Sequence, residues 1–327
     1  MRTKKSTSSV VVAVSAAVVL AGCGSDSGDR GSGPAGSVTF VQGVAGDPFF
    51  ETMACGARAE ADSLGIDLDV QGARVWDVSL QTPLVDDVVR TDPDVMFIAP
   101  NDSVGMIGPL RAAADAGIAV GLVDTSLTET DFAEFSISTD NVAAGAVAAD
   151  ALAALIGGRG SVLIAGLRPG VSTSEDRAKG FIDQLATYPG ITYVGSVFTN
   201  AGGVSGIADL VGASIASTPD LVGVFATAGD QSLGVATAIQ AAGRVGEIQV
   251  VGFDAGPSEV EQLRSGVVQA LVAQDPDEIG RQAVRYASSL IAGEPVERTT
   301  SVPTSVITAD NVDDPATRRH LYTDSCG

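Results

Sequence analysis

The feature that most constrains the fold of this chain is a rhythm in its hydrophobicity. Mostly apolar runs of strand length alternate with stretches of helical spacing. "SVTFVQGV", "IDLDVQGA", "DVMFIAP" and "IAVGLVD" are the strand-like runs of the first part, separated by "FFETMACGARAEADSLG", "SLQTPLVDDVVR" and "MIGPLRAAADAG". The first and last of these helical stretches close on a glycine, which suits a left-handed helix cap. After "FSISTDN" the rhythm restarts with the helical "AAGAVAADALAALIGG". Strand-like "SVLIAG", "ITYVGSVF", "LVGVFAT", "IQVVGFD" and "VVQALVAQ" then alternate with four further helical stretches, and "DEIGRQAVRYASSLIAG" follows. Strands this uniformly apolar are buried on both faces, as in parallel sheets covered by helices. The expectation is an α/β protein of two doubly wound, Rossmann-like lobes, with any ligand in the crevice outside the carboxyl ends of the strands.

A length of 327 residues is comfortable for two such lobes. The formal charge of −21, without a clustered basic stripe, lacks the electrostatic footprint of a nucleic-acid binder. The N-terminus adds an address. "MRTKKS" is a short basic region, followed by "VVVAVSAAVVLAG", an apolar run too short to span a membrane as a mature helix. Residues 1–22 therefore read as a secretory signal. "LAGC" is similar to the bacterial lipoprotein box, in which Cys23 is lipidated and becomes the new N-terminus. The alternative is an ordinary signal with an incidental cysteine. Residues 23–36, "CGSDSGDRGSGPAG", form the polar, flexible tether an anchored domain needs. The expected location is the outer face of a bacterial cytoplasmic membrane. Two cysteines remain, Cys55 and Cys326. They either stand as free thiols or pair, and an oxidising compartment favours pairing. A bridge across so long a loop would stabilise by about 4–5 kcal/mol in the chain-entropy picture.

Enzyme chemistry finds little to work with. The single histidine, His320, lies in the C-terminal tail and reads as a solvated residue, which leaves no Ser-His triad. There is no G-x-S-x-G elbow, CxxC pair, HExxH or P-loop. "GSGPAG" matches G-x-G-x-x-G formally but lies in the tether, with no strand before it and no helix opening on it. No catalytic residue, metal site or cofactor is assigned.

What remains is a set of polar residues at the carboxyl tips of strands: Asp47, Asp102, Asp124, Asp254 and Gln274. From about residue 38 to 308 the chain carries, in order, "GDPFF", "IAPNDS", "AGIAVGLVDT", "STDNVAAG", "EDRAKGF", "VVGFDAGP" and "VAQDPDEIG". In this ordered set it resembles the ribose-binding-protein-like family of type I periplasmic binding proteins, sugar-binding subunits of ABC importers. The resemblance implies two lobes, 37–139 plus 275–303 and 140–274 plus 304–327, hinged through three chain segments over one sugar. It implies that Asp47 is a polar ligand contact and that Phe49 and Phe50 stack on the sugar ring. Asp124 and Asp254 would accept sugar hydroxyls, and Gln274 would be the amide contact beside the hinge. Gly43, Asp102 and Ala228 are weaker candidates, and Asp102 also suits a turn or helix cap. The chemistry agrees, because a sugar offers C–H faces to aromatic rings and hydroxyls to carboxylates.

Several positions depart from the ribose-binding pattern. Glu175 stands where an arginine contact is expected, with Arg177 two positions on. Thr125 follows Asp124 in place of an arginine, Ala228 replaces an asparagine, and Ala201 replaces an aromatic. These departures point to a neutral polyol or an amine-bearing sugar rather than a sugar acid or phosphate. Trp76 suits the cleft mouth, and Asp140 and Asn141 suit a crossing segment. The expected role is a lipid-anchored, monomeric solute-binding protein delivering a small carbohydrate or polyol to ABC permease subunits. The alternative is a sensor presenting a sugar or furanosyl signal to a membrane receptor kinase. A transcription regulator of related fold would need a helix-turn-helix head where this chain has a signal and tether.

Overall fold

The computed structural model describes residues 36–199 and 203–326. The signal segment, Cys23, all of the tether but Gly36, and Ala201 lie outside the described residues. No helix among the described residues is long and apolar enough to cross a membrane.

The first part of the chain forms β1 (Ser37–Gln42), α1 (Pro48–Leu64), β2 (Asp67–Gly72), α2 (Val78–Thr91), β3 (Val95–Ile98), α3 (Ile107–Asp115), β4 (Ala119–Val123) and β5 (Phe135–Thr139). There follow α4 (Asn141–Leu155), β6 (Gly160–Leu167), α5 (Ser172–Leu185), β7 (Ile191–Thr199), α6 (Gly203–Ser217), β8 (Leu221–Ala226) and α7 (Gly229–Ala241). The chain ends with β9 (Gln249–Phe253), α8 (Pro257–Arg264), β10 (Ala270–Ala273), α9 (Pro276–Ile291), β11 (Thr299–Val302), β12 (Ser305–Thr308) and α10 (Pro315–Arg318). The expected α/β architecture is present. The strands form two sheets, ordered β11-β5-β4-β3-β1-β2 and β12-β10-β9-β8-β6-β7. All pairings are parallel except that of β10 with β12. In each sheet the order reverses beside the first strand, between β1 and β3 and between β6 and β8, and ligands of doubly wound folds sit at that switch point.

The central strands are buried throughout, as their unbroken apolar runs require: Val95–Ile98 in one sheet, Ala270–Ala273 in the other. The chain passes between the sheets three times, after Thr139, after Ala273 and after Val302. Three strands were not expected. "FSIST", read as a boundary, is β5, and "TTSV" and "SVIT" are β11 and β12, one added to each sheet across the Pro303–Thr304 link. The helix α9 returns to pack on α1, while α4 packs on α5. The second contact is close because of glycine: a Cβ at Gly145 of α4 would overlap the carbonyl of Arg177 in α5. That approach fixes Arg177 relative to its sheet.

Candidate functional site

The carboxyl ends of both sheets face one cavity of about 290 Å³, lined from both halves. Its size lies at the low end of small-ligand sites, roughly 300–1,000 Å³.

One wall is the start of α1. Asp47 is its N-cap, with extended backbone, and its Oδ1 accepts the Phe49 N–H at 2.9 Å. Pro48 takes the first helical position, where no N–H is missed. Burial, then the Asp254 charge, push the Asp47 carboxyl up to about 6, against the N–H groups of Phe49 and Phe50. One oxygen of Asp47 is thus spent on the cap and the other is left for the cavity. Phe49 and Phe50 both line the space and meet edge to face, centroids 5.1 Å apart. Phe50 stacks on Trp76 at 6.1 Å, and Phe49 meets Tyr322 at 5.7 Å. Gly43 does not line the cavity. A side chain there would strike the rings of Trp76 and Phe50, so Gly43 makes room for that stack and is no ligand contact.

Two carboxylates occupy equivalent places in the halves. Asp124 follows β4 and Asp254 follows β9, and both adopt left-handed backbone conformations, φ 60° and 71°. Aspartate tolerates this conformation better than most residues, at a cost on the order of 1 kcal/mol. Their N–H groups still bond the sheets, to Ile137 and Val272 respectively. The side chains differ in company. Asp254 Oδ1 accepts the Gln274 amide at 2.8 Å and the Tyr322 hydroxyl at 3.1 Å, and its Oδ2 accepts the Gly229 N–H at 3.1 Å. Gln274 in turn accepts the Thr139 hydroxyl at 2.7 Å, so it ties two of the three crossings together. Asp124 is only 7% exposed and accepts no such bond. Burial pushes it up to about 7, with Arg177 pulling down and Asp254 and Asp47 pushing up.

Arg177, also buried, donates through Nε to Asn141 at 2.7 Å and through Nη1 to the Thr227 carbonyl at 2.8 Å. Its plane lies 3.7 Å over the Phe253 ring. No carboxylate among the described residues lies within ion-pair distance of it. Ala228, the N-cap position of α7, lines the cavity with its backbone extended.

Three further candidates are not in the cavity. Thr125 turns its hydroxyl to the Pro100 carbonyl at 2.8 Å. Glu175 is exposed and accepts the Gly170 N–H at 2.9 Å. Two helical positions rotate a side chain by about 200°, so burying Arg177 puts Glu175 on the outer face. Asp102 accepts the N–H groups of Val104 and Gly105 and pairs with Arg168 at 3.2 Å, holding a turn and bridging the two halves. Ser103 and Ser126 add bridges, the first to the Gly170 carbonyl and the second to the Ser172 hydroxyl. His320 is corrected too: it is 5% exposed, 3.4 Å from Asp275, and burial lowers its proton affinity.

Sequence reasoning missed Tyr322, Asp230, Glu259 and Thr173, all of which line the cavity. Tyr322 arrives with the tail. Cys326 is bonded to Cys55 of α1, Cα atoms 5.3 Å apart, and the Thr323 N–H donates to Thr52 at 2.8 Å. The tail's signal was available: a Cys326 tied to α1 must bring residues four before it close to Phe49.

The periplasmic binding protein domain family matches residues 38–295. Among solved structures, an ABC transporter solute-binding protein from Agrobacterium vitis, bound with alpha-D-tagatopyranose, is 37% identical with a TM-score of 0.85. That match covers 88% of this chain and 99% of that one. A carbohydrate transporter solute-binding protein from Agrobacterium radiobacter, in complex with D-arabinose, is 27% identical with a TM-score of 0.83, covering 88% and 98%. The ribose import binding protein of Salmonella typhimurium is 28% identical over 263 residues, 80% of this chain and 86% of that protein.

Proposed function

The chain belongs to the periplasmic binding protein family, and from that premise we propose that it is the solute-binding protein of an ABC importer, closing over one small sugar or polyol. Its relatives bind sugars for transport and are not enzymes. The observation that carries the reading is the cavity itself, lined by the rings of Phe49 and Phe50 together with carboxylates offered from both sheets. Rings cover the C–H faces of a sugar while carboxylates accept its hydroxyls in charge-assisted bonds. Water excluded by closure strengthens those bonds.

The lobes of this reading are 37–139 plus 275–303 and 140–274 plus 304–327, turning on the three crossings. Arg168–Asp102 and the bridges at Ser103 and Ser126 would form as the lobes close and break as they open. Asp47, Phe49, Phe50, Asp124, Arg177, Asp254 and Gln274 would meet the ligand. Export, a lipid anchor on Cys23, a Cys55–Cys326 bridge in the exported protein and a monomeric state complete the proposal.

A thermal-shift screen of pentoses, hexoses, polyols and amino sugars tests it. A ligand at 100 times its dissociation constant stabilises by about 2.7 kcal/mol, a clear rise in melting temperature. The absence of a shift with every compound would refute the sugar reading.

A further inference from the structure

We propose that the cavity selects a sugar or polyol bearing a protonated amine over its neutral counterpart. The inference rests on the sugar reading above and names the ligand class of the same site. Six carboxylates and one guanidinium line the cavity. The guanidinium bonds Asn141 and the Thr227 carbonyl and lies over Phe253; it attracts Asp124 and Asp254 from a distance without pairing with either. The carboxylates are not evenly provided for. Asp254 is held by three donors, and Asp47 by the N–H groups at the start of α1.

Asp124 and Glu259, each 7% exposed, are the exceptions. Among the described residues Asp124 accepts no side-chain or backbone hydrogen bond, and Glu259 accepts that of its own N–H. Glu259 also lies in the field of Asp254, Asp47 and Asp230, which raise it further, and among the described residues no ion pair involves it. The tail adds Asp324 at the rim and the uncharged hydroxyl of Tyr322. Burying an unpaired carboxylate among others is expensive, and three escapes exist: a proton, a metal or a charged ligand. Among the described residues no three acidic, histidine or cysteine side chains converge to hold a metal. A ligand ammonium placed at the Glu259 end supplies the missing charge, and the rings of Phe49 and Phe50 tolerate a cation as well as a C–H face.

The probes are matched pairs: D-glucosamine with D-glucose, D-galactosamine with D-galactose, and 1-amino-1-deoxy-D-glucitol with D-glucitol, plus the N-acetyl forms of the hexosamines. Calorimetry on the exported chain at pH 7 is expected to give at least one amine binding tenfold or more tighter than its neutral partner. N-acetylation, which removes the charge, should abolish that preference. From pH 5 to 7 the amine stays protonated while the cavity carboxylates ionise, so its affinity rises steeply; a neutral ligand, which gains only stronger hydroxyl bonds, rises less. Glu259→Gln should lower the amine's affinity about tenfold and narrow the gap, with the folded state verified by its melting curve. Neutral partners binding as tightly as or tighter than the amines would overturn the inference and leave the sugar reading standing. No binding by either kind would overturn both.

Discussion

Replacing Tyr322 by phenylalanine removes one oxygen and leaves the ring that meets Phe49 in place. That oxygen makes two bonds inside the protein: it donates to Asp254 at 3.1 Å and accepts the Gln274 N–H at 3.0 Å. Burial, then the Asp254 charge, raise the hydroxyl well above its usual range, so it stays a donor at any working pH. A hydrogen bond to a charged acceptor contributes about 1.5–3 kcal/mol, and the stranded Gln274 N–H costs about 1–3 kcal/mol. The two overlap, so Tyr322→Phe should lower unfolding stability by roughly 2–3 kcal/mol, read as a fall in the urea midpoint at constant slope. Ligand affinity is a separate readout. Asp254 keeps Gln274 on Oδ1 and Gly229 on Oδ2 but loses the second of the two donors that orient Oδ1. About tenfold weaker binding is expected, equivalent to 1.4 kcal/mol. Tyr322→Ala, which also removes the ring, should cost about 3–5 kcal/mol of stability. If Tyr322→Phe changes stability by less than about 0.5 kcal/mol and leaves affinity untouched, the tail is not part of the site.

Asp124→Asn tests the cost of the unpartnered carboxylate. Burial holds Asp124 at about 7, above its ordinary 3.8, so the native state favours the protonated form. That advantage is complete below about pH 4 and lost as pH rises through about 7. The variant, neutral at every pH, should therefore be more stable than the parent without ligand by roughly 2–4 kcal/mol at pH 8, with the difference vanishing near pH 4. Cys326→Ser should lower stability by a few kcal/mol, since the 271-residue separation places the chain-entropy contribution on the order of 5 kcal/mol before strain. Denaturant curves with and without reductant, coinciding for the variant and separating for the parent, would verify it.

The βαβ rhythm was legible because buried parallel strands leave unbroken apolar runs, and the tips of those runs located Asp124, Asp254 and Gln274. The short strands were not. "FSIST" alternates apolar with polar residues over only five positions, and β11 and β12 are four residues each on either side of Pro303. Local pattern carries little signal at that length, and partners far along the chain decide the outcome. The same limit applies to side-chain direction. Thr125 and Glu175 stood at plausible positions, but a left-handed turn at Asp124 and the 3.6-residue period of α5 aim them away. Tyr322 was missed for a different reason: it reaches Asp254 from 68 positions along the chain, and only the pairing of Cys326 with Cys55 signalled that the tail returns to α1.

The two halves repeat one device, a left-handed aspartate after the fourth strand of each, yet the site they build is not symmetric. Both aspartates close a parallel strand and line the cavity, and within the repeat they differ in one donor, the Gly229 N–H at the start of α7, which bonds Asp254. The other two donors come from the crossing and the tail. The chain beyond β12 has no counterpart in the first half, and it delivers the Tyr322 hydroxyl to Asp254 alone. The crossing after β10 delivers Gln274 to the same carboxylate. Asp254 is therefore held by protein donors before a ligand arrives, whereas Asp124 waits for one. A carboxylate already saturated contributes orientation, and a bare one contributes discrimination, because only the bare group changes its free energy steeply when a donor or a cation appears. On this argument a change of ligand class would come from substitutions around Asp124 and Glu259, while changes around Asp254 would weaken every ligand alike.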